Sequence, residues 1–176
     1  GRGPCLNCYL GGSTAPAADQ KNHSYEATEH DTGGAITTIV HLTTCNTAAC
    51  HNGGMSVVSL QAQQDGFDAA YAVLDGLMKN TITNYLNGGA GLDIATTSNN
   101  NYKTIPVEAY GAFMNYKYIT EDPCAYVHNN LYNRRLYFDS IDWMQDGDLD
   151  GTIDLTAYAA AAAYLNGAAP ASAVTR

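Results

Sequence analysis

The sequence predicts a mainly α fold with little or no sheet: an irregular amino-terminal third (residues 1–55), a small helical domain (56–167) and a loose tail (168–176), together one folding unit. Three observations predict it. After residue 56, apolar side chains recur three and four positions apart, the period of a helix with one buried face. Helix-stopping pairs stand between those runs, at Gly88-Gly89, Asp122-Pro123 and Asn166-Gly167. Before residue 35 neither the helical nor the strand period appears, and Gly, Pro, Ser, Thr and Ala dominate.

The chain of 176 residues, 45% hydrophobic, is long enough to bury a core without help. Eight basic residues against 17 acidic ones leave a net charge of -9, which excludes nucleic acid as a main partner, because phosphate-backbone affinity is carried by clustered Lys and Arg. No apolar run approaches the roughly 20 residues that span a bilayer. A charged fraction of only 14% and a first residue, Gly1, that is no initiator Met are expected of a mature periplasmic or extracellular chain.

Taken in order, residues 1–35 read as an extended or looping segment. Within it, Cys5-Leu-Asn-Cys8-Tyr9 has the cysteine spacing of a haem c attachment motif, with Tyr9 where the histidine would stand. A second haem whose ligand comes from elsewhere, a disulfide or free thiols, and half of a zinc site all compete for this pair, and zinc lacks a second cysteine pair.

The most informative stretch is His41-Leu-Thr-Thr-Cys45-Asn-Thr-Ala-Ala-Cys50-His51-Asn-Gly-Gly54. Two cysteines followed at once by histidine form a haem c attachment signal: the thiols add to the vinyl groups as thioethers, and the adjoining imidazole becomes the proximal iron ligand. Four residues separate Cys45 from Cys50 instead of the usual two, so the loop must bulge, which Asn46, Thr47, Ala48 and Ala49 allow. A Cys45–Cys50 disulfide with His51 on the surface is the rival reading. Cys124 makes the cysteine count odd, and it is left alone or bonded to Cys5 or Cys8.

A haem c iron needs a sixth ligand, for which His23, His30, His41 and His128 are candidates. His/Met ligation is the competitor, through Met55, Met78, Met114 or Met144, although these sit in apolar stripes that core packing explains. A second histidine would close the iron's other face and leave no open position for substrate chemistry, making the protein an electron carrier and not an enzyme.

The first helix spans 56–86, with Phe67, Tyr71, Leu74, Met78, Ile82 and Tyr85 inward, and residues 92–101 are polar loop. A second helix starts at Thr104-Ile-Pro106, the proline in the first turn where its missing donor costs nothing. Val107, Tyr110, Phe113 and Met114 are its expected inner face. A third, 124–144, is expected to bury Val127, Leu131, Phe138 and Ile141, with His128 at the edge of that stripe. Asp146-Gly-Asp148-Leu-Asp150-Gly-Thr152-Ile-Asp154 then has the layout of a calcium loop, with carboxylates at positions 1, 3, 5 and 9, Thr152 at 7 and glycine at 6. Position 12, normally Glu, is Ala157, so the loop is either a weak calcium site completed by another residue or a plain turn capping the last helix, 155–165.

Asp122-Pro-Cys-Ala-Tyr-Val-His128-Asn129, then Leu136-Tyr-Phe-Asp-Ser-Ile-Asp-Trp143 and an Asp/Gly turn, resemble the carboxy-terminal part of multihaem c-type cytochromes from metal- and mineral-respiring bacteria. With the attachment motif upstream, the resemblance implies an extracytoplasmic electron carrier with a haem-bearing amino-terminal third. Its partners would be other redox proteins or extracellular electron acceptors, and self-association into cell-surface or filamentous assemblies occurs in some relatives. The resemblance also raises His128 as an axial ligand. Family members carry several full attachment motifs where this chain has one, and glycine where it has Cys124. The alternative from another class is a secreted binding or assembly module, stapled by disulfides and calcium, without haem.

Overall fold

A computed structural model describes residues 28–40, 42–48, 51–87, 107–122, 125–127 and 130–166. The chain divides into two units, Gly1–Gln63 and Gln64–Arg176. It is mainly helical, as the periodicity requires.

The first unit contains an antiparallel hairpin of β1 (Thr28–His30) and β2 (Ile36–Ile39), paired Thr28 to Ile39, Glu29 to Thr38 and His30 to Ile36, with a bulge between Glu29 and His30. Its turn is written in Asp31-Thr-Gly-Gly34. The Asp31 carboxylate accepts the N–H groups of Gly33 at 2.8 Å and Ala35 at 3.0 Å, and Gly34 adopts φ +86°, which glycine alone takes without strain. Ile36 and Ile39 are buried, and the Ile36 N–H donates to the Gln61 side-chain oxygen at 2.6 Å. The expectation of little sheet holds, but residues 28–30, expected to be irregular, form a strand. A single turn, α1 (Leu42–Cys45), follows.

The long helix α2 (Val57–Asn87) starts one residue from its expected place for a local reason. Ser56 and Ser59 cap each other: the Ser59 N–H donates to Ser56 Oγ at 3.1 Å and the Ser56 N–H to Ser59 Oγ at 2.8 Å, which satisfies amides that lack an intrahelical acceptor. Phe67, Leu74 and Met78 are buried as the period demands. The side chains of Ile82 and Tyr85 lie outside the described residues.

The second unit sets α2 among α3 (Val107–Glu121), α4 (Asn130–Asp146) and α5 (Ala159–Leu165). The Phe67 ring meets Tyr137 edge-on at 5.4 Å and tilts against Tyr126 at 6.0 Å. Tyr71 stacks on Tyr116 at 5.6 Å, and Asn115 Nδ2 donates to Ser140 Oγ at 3.0 Å between α3 and α4. At Gly66, α5 approaches so closely that a Cβ would lie 2.6 Å from Tyr164 Cβ. The Arg134 guanidinium lies 4.4 Å above the Tyr164 ring on its other contact.

Two inner faces differ from expectation. On α3, Val107, Tyr110 and Met114 are exposed and only Phe113 of the expected four is buried. The true face is Ala109, Ala112, Phe113, Tyr116 and Ile119, where alanines admit close helix approach and so win over larger apolar residues. On α4, Leu131 is 72% exposed, whereas Asn133 is fully buried, where its Nδ2 donates to the Ala125 carbonyl at 2.6 Å and offsets part of the cost of burying an amide. Residues 125–127 form a turn, so this helix begins later than 124. The last helix is likewise shorter than 155–165: Leu155 is buried but outside it, since Asp154 accepts the Thr156 N–H at 3.0 Å and hydroxyl at 2.8 Å in a turn.

Candidate functional site

Backbone hydrogen bonds join the described residues on either side of Cys50. α1 ends at Cys45, which is half-buried, and the His51 N–H returns to the Cys45 carbonyl at 3.2 Å. Three more backbone bonds tighten the loop: Asn52 to Thr47 at 2.9 Å, Gly53 to Asn46 at 3.2 Å, and Gly54 to His51 at 2.8 Å. The chain reverses there through two left-handed residues, Asn52 (φ +47°) and Gly53 (φ +78°), residue types that tolerate this conformation. The His51 side chain stands exposed at the loop's tip.

Asn46 is the residue that sequence reasoning undervalued. It was read as merely small and polar, yet its side-chain amide brackets Met55: Nδ2 donates to the Met55 carbonyl at 2.8 Å, and Oδ1 accepts the Met55 N–H at 2.8 Å. An amide with both donor and acceptor used ties Asn46 to the Met55 backbone. The signal available in sequence was an asparagine directly after the first cysteine, before a Gly-Gly reversal.

The donor set suits a haem. A haem would find in Cys45 a thiol able to form a thioether and in the exposed His51 an imidazole nitrogen. Cys50 lies outside the described residues, as do Cys5, Cys8, Cys124, His23, His41 and His128. His30 is described, at the end of β1. Its Nδ1 donates to the Gly34 carbonyl at 2.9 Å, and its Nε2 meets the Thr28 hydroxyl at 2.8 Å. A carbonyl only accepts, so in the neutral ring Nδ1 carries the proton and Nε2 keeps its lone pair, the tautomer of a histidine that ligates through Nε2. Among the methionines, Met78 and Met144 are buried and Met114 is exposed. Met55 sits in the Asn46 clamp.

The Asp/Gly loop lies beyond α4. Asp146, Asp148, Asp150, Thr152 and Asp154 are exposed, and among the described residues no three His, Cys, Asp or Glu side chains converge as they would around a bound metal ion. Asp146 accepts the Asp148 N–H at 2.9 Å, Asp148 the Leu149 N–H at 2.8 Å and Asp150 the Thr152 N–H at 2.7 Å. Hydrogen bonds from the Thr156 N–H and hydroxyl hold the Asp154 carboxyl below the usual carboxylate range. Burial pushes Asp142 above it, reinforced by Asp150 and Asp146 and only partly offset by the N–H groups of Gly151 and Thr152.

A second polar chain crosses the helical unit. Tyr71 and Tyr116 hydroxyls lie 3.0 Å apart, and Tyr116 donates to Asp75 Oδ1 at 2.8 Å while Lys79 bonds the other oxygen. Burial alone would raise Asp75, but the bonds from Lys79 and Tyr116 outweigh it and the net shift is downward. A cleft of about 270 Å³ between α3 and α4, lined by Val107, Gly111, Asn115, Asp139 and Trp143 among others, is small for a ligand site.

Polyhaem c-type cytochromes are what the chain resembles in sequence. The relatives are from Geobacter sulfurreducens. The C-type polyheme cytochrome OmcB is 26% identical over 172 residues, covering 86% of this chain and 22% of its own length. The C-type polyheme cytochrome OmcC is 27% identical over 172 residues, covering 86% of this chain and 21% of its own. The chain thus spans about a fifth of the length of these curated relatives. No family model matches the chain, and no solved structure matches it. Among the described residues, no helix is long and apolar enough to cross a membrane.

Proposed function

We propose that this chain carries haem c, joined through Cys45 and Cys50 with His51 as proximal iron ligand, and transfers single electrons. The observation that carries the proposal is the closed 45–55 loop, which returns His51 to Cys45 and is pinned by Asn46. Distant similarity to polyhaem cytochromes over most of the chain supports it. When bound, the haem supplies the redox centre, and the chain's own residues position it, ligate it and limit access to its iron.

The distal ligand comes from His23, His30, His41 or His128. His30 already has the required tautomer, and ligation would replace only its bond from the Thr28 hydroxyl. A second imidazole closes the iron to substrate, so the protein is a carrier and its partners are other redox proteins or extracellular acceptors. A periplasmic or cell-surface location, self-association into filaments, and a second haem at Cys5 and Cys8 belong to the same proposal.

The absorption spectrum of the purified chain tests it. A sharp Soret band with split bands on reduction is expected, and replacing Cys45 and Cys50 together by alanine should release the pigment under denaturing conditions. Intact mass counts the haems and so decides on Cys5 and Cys8. A colourless protein made in a host competent for haem attachment would overturn the proposal, and ready binding of carbon monoxide would overturn the closed iron.

A further inference from the structure

One carboxylate outside the expected calcium loop behaves unlike the rest. Asp142 lies on α4 one turn before Asp146, hence on the same helix face, and is only 2% exposed. Its Oδ2 accepts the Gly151 N–H at 2.9 Å, so the carboxylate faces into the loop. Its Oδ1 is buried and, among the described residues, has no hydrogen-bond partner. A buried carboxylate oxygen without a donor is costly by ordinary desolvation unless a positive group reaches it or the carboxyl takes up a proton. The ion pairs Lys79–Asp75 and Lys117–Glu121 lie outside the loop. Between 142 and 154 the sequence has Asp142, Asp146, Asp148, Asp150 and Asp154 and neither lysine nor arginine.

We propose that Asp142 completes a calcium site with Asp146, Asp148, Asp150, the Thr152 carbonyl and Asp154, supplying from the incoming helix the acidic ligand that Ala157 lacks at position 12. The donors are all oxygen and mostly carboxylate, the set that takes six to eight bonds to calcium and offers nothing to a softer metal. The backbone is already closed without the ion. Gly151 is held to Asp142, and the Gln145 amide grips Asp154 from both sides, donating to its carbonyl at 2.8 Å and accepting its N–H at 2.8 Å. Asp146, Asp148 and Asp150 each bond a nearby N–H through one oxygen, leaving the second for the cation. Assembly therefore takes rotation of exposed side chains about a fixed loop, with Asp142 as its buried floor. This site is independent of the haem.

Calorimetric titration of the chelator-treated full chain with calcium chloride tests the assignment, with thermal melts in calcium and in chelator alongside. One ion per chain is expected, with a dissociation constant on the order of 10⁻⁴ to 10⁻³ M, and a higher melting midpoint in calcium. Asp142→Asn should weaken binding by roughly tenfold or more, as ligand charge count sets affinity. Asp148→Asn, at an exposed position whose loss does not threaten the fold, should do the same, and the remote Glu121→Gln should change nothing. Absence of saturable binding overturns the site. Unchanged affinity in a folded Asp142→Asn variant overturns the role given to Asp142. Should that variant fail to fold, loss of the calcium-induced melting shift in Asp148→Asn upholds the site and its retention overturns it.

Discussion

Two glycines of one helix should respond in opposite directions to the same substitution. Gly66 and Gly76 both lie inside α2, where alanine is intrinsically better by about 1 kcal/mol. At Gly76 a new Cβ meets nothing within 4 Å, so Gly76→Ala should stabilise by about that amount. At Gly66 the methyl would stand 2.6, 2.7 and 2.8 Å from Cβ, Cδ2 and Cγ of Tyr164, roughly 1 Å inside ordinary carbon contact. Rotating the tyrosine does not relieve it, because Tyr164 Cβ is fixed to the α5 backbone. The helix itself must shift, and the shift also disturbs the Arg134 guanidinium seated on the ring. Overpacking costs about 1–3 kcal/mol and the cation–π contact about 0.5–1 kcal/mol. Set against the propensity gain of about 1 kcal/mol, the net for Gly66→Ala is a loss of about 0.5–3 kcal/mol. Urea unfolding read by far-ultraviolet circular dichroism, extrapolated linearly to water, measures both variants. Equal stabilisation by the two would refute the close approach of α2 and α5.

Other outcomes follow from single contacts. Tyr137 is fully buried with a hydroxyl that finds no partner among the described residues, so Tyr137→Phe should raise stability by about 1 kcal/mol in the same assay, and a loss would mean that the hydroxyl is satisfied after all. The folded Asp75 carboxyl lies below its unfolded value, so its contribution is present above about pH 4 and is lost as pH falls through the folded value. Tyr116→Phe removes a donor to that carboxylate, should raise its titration midpoint in a carboxyl-resolved NMR experiment, and should make acid unfolding set in at higher pH. Asn46→Ala removes both bonds to Met55 and should speed exchange of the Met55 amide by about tenfold, equivalent to about 1.4 kcal/mol of local stability. Unchanged exchange would show that the loop is held by other bonds.

Where a side chain's chemistry and the element's period agreed, the sequence could be read directly. Phe67, Leu74 and Met78 lie four or seven apart and all are buried. Where small or polar residues take the inner positions, hydrophobicity misleads. Ala109 and Ala112 form the packed face of α3 while Val107 points out at 75% exposure, and Asn133 goes inside because Ala125 offers a carbonyl that no local pattern announces. The 28–39 hairpin was missed for a similar reason: its strands are three and four residues long, too short for a period to show, and the clue was the Asp31-Thr-Gly-Gly34 turn. Asn46 shows its bonds to the Met55 backbone only once Met55 is seen beside it.

The Asn46 bracket joins residues nine apart in sequence, a span that a free chain closes in roughly 10–100 ns. Nothing in that closure waits for α3, α4 or α5, whose contacts join positions far more widely separated and are correspondingly slower to form. A chain emerging residue by residue thus joins the backbone of His51 to that of Cys45 at an early moment, before the helices that follow are complete.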